Sequence, residues 1–158
     1  MARYISLIAD IYERNNLPRV FPVNLVAIAK ALGYNVYNFK IDPTTSGVSG
    51  AVAYDDKAIF INPSEIQERQ RFTLAHEIGH IVLGHEKYGN RLDLRDDLYG
   101  VSHDAHERAA NEFAAELLMP AFEFKRVWDA FKSDRVLADF FCVSGAAVAV
   151  RKQRLDLC

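Results

Sequence analysis

Apolar residues recur at helical spacing through Ile5, Ile8, Ile11 and Tyr12 until "NNLP" breaks the pattern with two asparagines and Pro18. A first short helix is expected there. After Pro22 the residues Val23, Val26, Ala27, Ala29, Ala31 and Leu32 continue a helical pattern up to Gly33, a residue suited to the left-handed position past a helix end. "YNVYNFKI" is aromatic and branched and alternates through Val36 and Phe39, so a strand is expected. A flexible "DPTTSGVSG" leads into "AVAYDDKAIFIN", where Asp55-Asp56 between apolar runs marks a hairpin turn.

The best-marked helix is "NPSEIQERQRFTLAHEIGHIVLG", with Ser64 and Gln67 in the S-x-x-Q relation of a capping box and Gly84 at the close. A polar stretch, 85–105, separates it from "HERAANEFAAELLM", whose Ala110, Phe113, Ala114, Leu117 and Leu118 lie on one stripe until Pro120 ends the helix. The tail predicts three more helices: "AFEFKRVWDAF", "SDRVLADFF" from Ser133, and "GAAVAVRKQRL" from Ser144. Helices, then a small meander of strands, then helices only, predict an α+β fold with a small antiparallel sheet rather than a wound parallel one. The expected division is a main domain over 1–119 and a helical subdomain, 120–158, packed on it.

The 158 residues suffice for one domain with a real core plus a small helical appendage. Half of them are apolar and no Pro, Gly or Ser tract forms a linker, which reads as an ordered globular chain. A net charge of −2 gives no global attraction to nucleic acid or anionic membranes, so any DNA contact would have to be local. Cys142 and Cys158 belong to no paired motif, the N-terminal patch is broken by Asp10, and "FFCVSGAAVAV" is too short to span a bilayer. The expected location is the cytoplasm, with no membrane contact. The oligomeric state is not set by any of these features.

Chemistry is concentrated in "AHEIGH". On a helix His76 and His80 project from one face a turn apart, with Glu77 close to that face, the arrangement of H-E-x-x-H. Two neutral imidazoles can share one Zn2+, and an adjacent carboxylate can act as base toward the water that the ion activates. A catalytic site needs a third protein ligand and an open position. The metzincin pattern fails, because Leu83 and Glu86 occupy the places of its Gly and third His. Glu107, with Asn111 one turn later, is the candidate on the downstream helix, with His103 and His106 as rivals and a solvated first-turn acid as the bland alternative. Gly79 costs about 1 kcal/mol of helix propensity relative to Ala, which suggests close approach by another element, a tolerated mid-helix Gly being the bland alternative. No oxyanion stabiliser is assigned, although Tyr88, Tyr99 and His103 lie in or near the polar connection.

The stretches "FTLAHEIGHIVLGH", "HERAANEFAAELLMP" and "LADFFCVSGAAVAVRKQRL" together resemble the ImmA/IrrE family of zinc metallopeptidases, with similarity running from about Pro22 to the end. The resemblance implies His76, His80 and Glu107 as metal ligands and Glu77 as general base. The pattern E-x-x-A-N-x-F-A is met at Glu107, Ala110, Asn111, Phe113 and Ala114 without departure. Asn111 is the expected hydrogen-bonding partner of a ligand imidazole. The resemblance further implies a zinc endopeptidase that cuts a helix-turn-helix repressor and so derepresses its genes. Larger members carry a sensor domain after the peptidase, for which this chain ends too soon. Imidazole and carboxylate donors would also take Mn2+ or Fe2+.

The rival reading is a catalytically silent metal-binding module that holds a repressor, a toxin or antitoxin partner, or DNA. Its support is the helix, turn and helix of the tail, followed by Arg151, Lys152 and Arg154. Asp134, Asp139 and Asp156 offset that basic charge and argue against direct DNA contact.

Overall fold

The computed structural model describes residues 1–88, 91–94 and 104–157, with the backbone alone for 88 and 91–94. Its elements are α1 (Ala2–Arg14), α2 (Leu25–Ala31), β1 (Asn35–Asn38), β2 (Val48–Ala53), β3 (Ala58–Ile61), α3 (Gln67–Val82), a 3₁₀ turn (His85–Tyr88), β4 (Arg91–Leu94), α4 (Ala105–Leu118), α5 (Ala121–Phe131), α6 (Asp134–Phe141) and α7 (Gly145–Arg154). The chain is α+β, as the pattern of elements predicts.

The sheet is mixed rather than antiparallel throughout. Its order is β1-β3-β2-β4, with β1 parallel to β3 and β2 antiparallel to both β3 and β4. The segment between β1 and β2 carries the chain past β3, so β1 pairs with the far arm of the β2/β3 hairpin. Asp55 and Asp56 do lie in that hairpin's turn, which runs over Tyr54–Lys57, with Lys57 at φ 50°. The edge strand β4 falls in the polar connection. Its sequence, "RLDL", carries the charge common in edge strands, which hides it from a reading based on apolar runs.

Helix ends follow local chemistry with one correction. Asn24, Asp104, Ser133 and Ser144 cap their helices by accepting a bond from a first-turn amide. The capping box at Ser64 and Gln67 is not formed: α3 starts from Ile66, which has no side-chain cap. The Asn62 side-chain oxygen instead accepts from Ser64 N at 2.9 Å and Ser64 Oγ at 2.6 Å, an Asx turn that uses up the serine. Gln70 Nε2 donates to the Glu65 carbonyl at 2.7 Å and helps hold the entry. At the other end Gly84, at φ +73°, turns the chain as its position predicts.

Every residue of α3 from Phe72 to His80 is buried. A helix buried on all sides is central to its fold, and α3 is packed against β2, β3, α2 and α4. One apolar cluster runs from Ile8, Ile11 and Tyr12 of α1 through Ile59, Ile78, Phe113 and Leu117 to Phe124, Phe141 and Val148 of the tail. Ile5, expected on the buried face of α1, is exposed. Arg71 stitches the layers, donating to the carbonyls of Cys142 at 3.2 Å and Val23 at 3.1 Å.

The close approach expected at Gly79 is made by α4. A Cβ there would stand 3.1 Å from the Ala110 carbonyl oxygen and 3.2 Å from Phe113 Cδ1. The basic tail is engaged within the fold. Arg151 is buried, pairs with buried Glu116 and donates through Nε to the Met119 carbonyl at 3.0 Å. Lys152 lies 4.0 Å from the Trp128 ring centre and 2.8 Å from Asp134, and Arg154 reaches Glu112 at 3.4 Å. Each of these three basic side chains thus has an acidic partner within the fold.

Two stability predictions follow from these contacts. Gly79→Ala gains helix propensity but meets backbone atoms that cannot step aside cheaply, so urea unfolding should show a net loss of about 1–2 kcal/mol. Glu116→Ala leaves the Arg151 guanidinium buried without its anion and should cost about 3–5 kcal/mol, measured the same way.

Candidate metal centre

The packing of α3 on α4 places three electron-pair donors together. His76 Nε2 and His80 Nε2 lie 3.0 Å apart. The two carboxylate oxygens of Glu107 approach them at 3.1 Å from His76 and 3.3 Å from His80. Both rings are wholly buried and Glu107 is 5% exposed. His76, His80 and Glu107 are the one such group of potential metal ligands among the described residues.

Each imidazole is fixed from behind. His76 Nδ1 lies 2.8 Å from Asn111 Oδ1, the partnership that helical spacing suggested. Because that oxygen only accepts, Nδ1 carries a proton, so a neutral His76 would turn its Nε2 lone pair toward Glu107 and His80. His80 Nδ1 lies 2.7 Å from His85 Nδ1, a partner that the sequence reading did not single out. Its signal was present in Gly84: a left-handed residue at the helix end folds the next side chain back over the last turn.

Burial opposes ionisation of Glu107, but its hydrogen bonds with His76 and His80 and their charges outweigh that and hold its carboxyl well below the usual carboxylate range. The donor set fits a small divalent cation. Ligands at 2.0–2.1 Å around tetrahedral Zn2+ stand about 3.3 Å from one another, close to the separations observed here. Without a metal the imidazole Nε2–H groups face the carboxylate; a divalent cation would replace those protons and take one lone pair from each ring and from Glu107.

Glu77 is fully buried on the same helix. Strand β2 crosses above it at Gly50, where a Cβ would stand 2.7 Å from Glu77 Oε1 and 2.4 Å from Thr73 Cγ2. The glycine thus lets the sheet lie directly on the carboxylate. Of the rivals, His106 points elsewhere, with Nδ1 3.5 Å from Asp104 and its ring against His85. His103 and Tyr99 lie outside the described residues. Tyr88 ends the 3₁₀ turn, and its side chain is likewise undescribed.

Three buried donors from two helices, beside the buried acid Glu77, form a group that could hold a metal ion. Residues 12–152 match the family model described as the IrrE N-terminal-like domain, and the chain belongs to that family. It is similar to the radiation response metalloprotease IrrE of Deinococcus radiodurans, at 41% identity over 80 residues. That match covers 45% of this chain and 22% of the relative, so the chain spans well under half of the relative's length. Its fold is similar to that of a Mycobacterium tuberculosis transcriptional regulator, with a TM-score of 0.64 and 15% identity over 94% of this chain and 45% of the other. Among the described residues no helix is long and apolar enough to cross a membrane.

The contact at Gly50 yields a paired test. Gly50→Ala should lower stability in urea by about 1–3 kcal/mol, because neither a buried β-branched neighbour nor the Glu77 carboxylate can retreat freely. Gly47→Ala, whose Cβ meets nothing within 4 Å, should be close to neutral.

Proposed function

We propose that the chain is a zinc-dependent endopeptidase in which His76, His80 and Glu107 hold the metal, Glu77 is the general base and Asn111 orients His76. The observation that carries this reading is the convergence of three buried donors from two helices beside a fourth buried acid. A bound divalent ion supplies Lewis acidity to a carbonyl and acidifies water. The protein's own part is to take and return a proton. Glu77 Oε accepts it during attack and delivers it to the leaving amine, while the surrounding apolar core keeps the carboxylate out of bulk water. In this reading residues 1–119 carry the chemistry, and residues 120–158 form a helical buttress behind α4.

The substrate class we propose is a helix-turn-helix transcriptional repressor. Its support is membership of the family and the similarity to a radiation response metalloprotease. Cleavage would remove the repressor from its operator, so the activity would act on transcription without this chain touching DNA. The internal pairing of Arg151, Lys152 and Arg154 favours that division of labour over a DNA-binding tail.

Metal analysis of the purified protein, followed by incubation with candidate helix-turn-helix repressors from the same genome, tests the reading. Glu77→Gln should retain zinc and lose cleavage by about two orders of magnitude or more, as expected when a general base is removed. His76→Ala and Glu107→Ala should lose the metal. Continued cutting by Glu77→Gln removes the general-base role. An intact repressor after exposure to wild-type protein loaded with zinc, manganese or iron points instead to a binding module.

A further inference from the structure

His85 is 5% exposed, lies one residue beyond the α3 C-terminal glycine and turns its Nδ1 onto His80 Nδ1 at 2.7 Å. Two imidazole nitrogens at that distance share a single proton, one donating and the other accepting. If His80 is to offer its Nε2 lone pair toward His76 and Glu107, its own proton must sit on Nδ1. His85 Nδ1 must then accept, and the neutral His85 ring carries its proton on Nε2.

The ring of His85 is itself held. Its centre lies 4.9 Å from that of His80 and 4.7 Å from that of His106, the latter edge to face at 62°. His106 stands in the first turn of α4, one residue before Glu107, and reaches Asp104, the cap of that helix. A continuous row of three rings therefore links the last turn of the His76 and His80 helix to the first turn of the helix bearing Glu107.

We infer that His85 is a positioning residue for the metal centre: it accepts the His80 Nδ1 proton, fixes that ring's tautomer and rotation, and ties the third donor's helix to the first two. This rests on the reading of His76, His80 and Glu107 as a metal site. It divides the support of the two imidazoles between different chemistries, an amide oxygen behind His76 and a neutral ring behind His80. Outer partners of this kind set ligand orientation, and their loss weakens metal binding by about 10–100-fold.

The test is zinc affinity, measured by competition with a chromophoric chelator, for the full-length wild type, His85→Leu and His85→Asn. Asparagine places its side-chain oxygen near the position of Nδ1 and can accept the same proton; leucine cannot. The expected result is a 10–100-fold loss for His85→Leu and near-wild-type affinity for His85→Asn, with thermal unfolding of both metal-free variants close to wild type. In the zinc-loaded wild type, 15N imidazole spectra should show His80 protonated on Nδ1 and His85 on Nε2. Wild-type affinity in His85→Leu, equal weakening in both variants, or His85 protonated on Nδ1 would each overturn the assignment to His85 while leaving the metal site standing. Failure of the wild type itself to bind zinc overturns the reading of the site, and the role of His85 with it.

Discussion

The backbone of α4 touches the backbone of α3 at Gly79, and the chemistry of the molecule depends on that contact. With no side chain at 79, the Ala110 carbonyl and the Phe113 ring come to about van der Waals contact with the helix that carries both histidines. At this separation Glu107, one turn before Ala110, meets the two imidazoles, and Asn111 meets the back of His76. The elements E-x-x-A-N-x-F-A are thus one device: a donor, a small residue for close approach, a buttress for a ring, and two apolar residues that lock the interface.

The same closeness sets an electrostatic condition. His76, Glu77 and His80 are wholly removed from solvent in the middle of a helix that is buried on every side. Burial of such groups is unfavourable unless each finds a partner or an ion. The structure meets the condition for the imidazoles from two sides, with Asn111 and His85 on the outer nitrogens and Glu107 on the inner ones, while β2 passes over Glu77 at Gly50. The contacts that partner the two buried imidazoles also fix the direction in which their Nε2 atoms point.

The tail shows a different use of charge. Arg151, Lys152 and Arg154 follow the helix-turn-helix-like segment and pair with Glu116, Asp134 and Glu112, with Lys152 also over the Trp128 ring. Helices α5 to α7 contribute Phe124, Leu137, Phe141 and Val148 to the apolar cluster that α3 and α4 also share, and Arg151 of α7 pairs with Glu116 of α4.

The sequence by itself determined the helices, their caps at Ser133 and Ser144, the H-E-x-x-H face, and the need for a neighbour close to Gly79, because each rests on spacing or on one residue's local chemistry. It misplaced the start of α3, where the Asn62 turn competes for Ser64, and it passed over β4, whose alternating charged residues look like loop. Only the tertiary structure decided that β1 pairs in parallel with β3, that Glu107 rather than His106 joins the histidines, that His85 backs His80, and that Arg151 is buried. Those are facts about which surfaces meet, and no periodicity along a chain encodes the distance between two helices separated by more than twenty residues of connection.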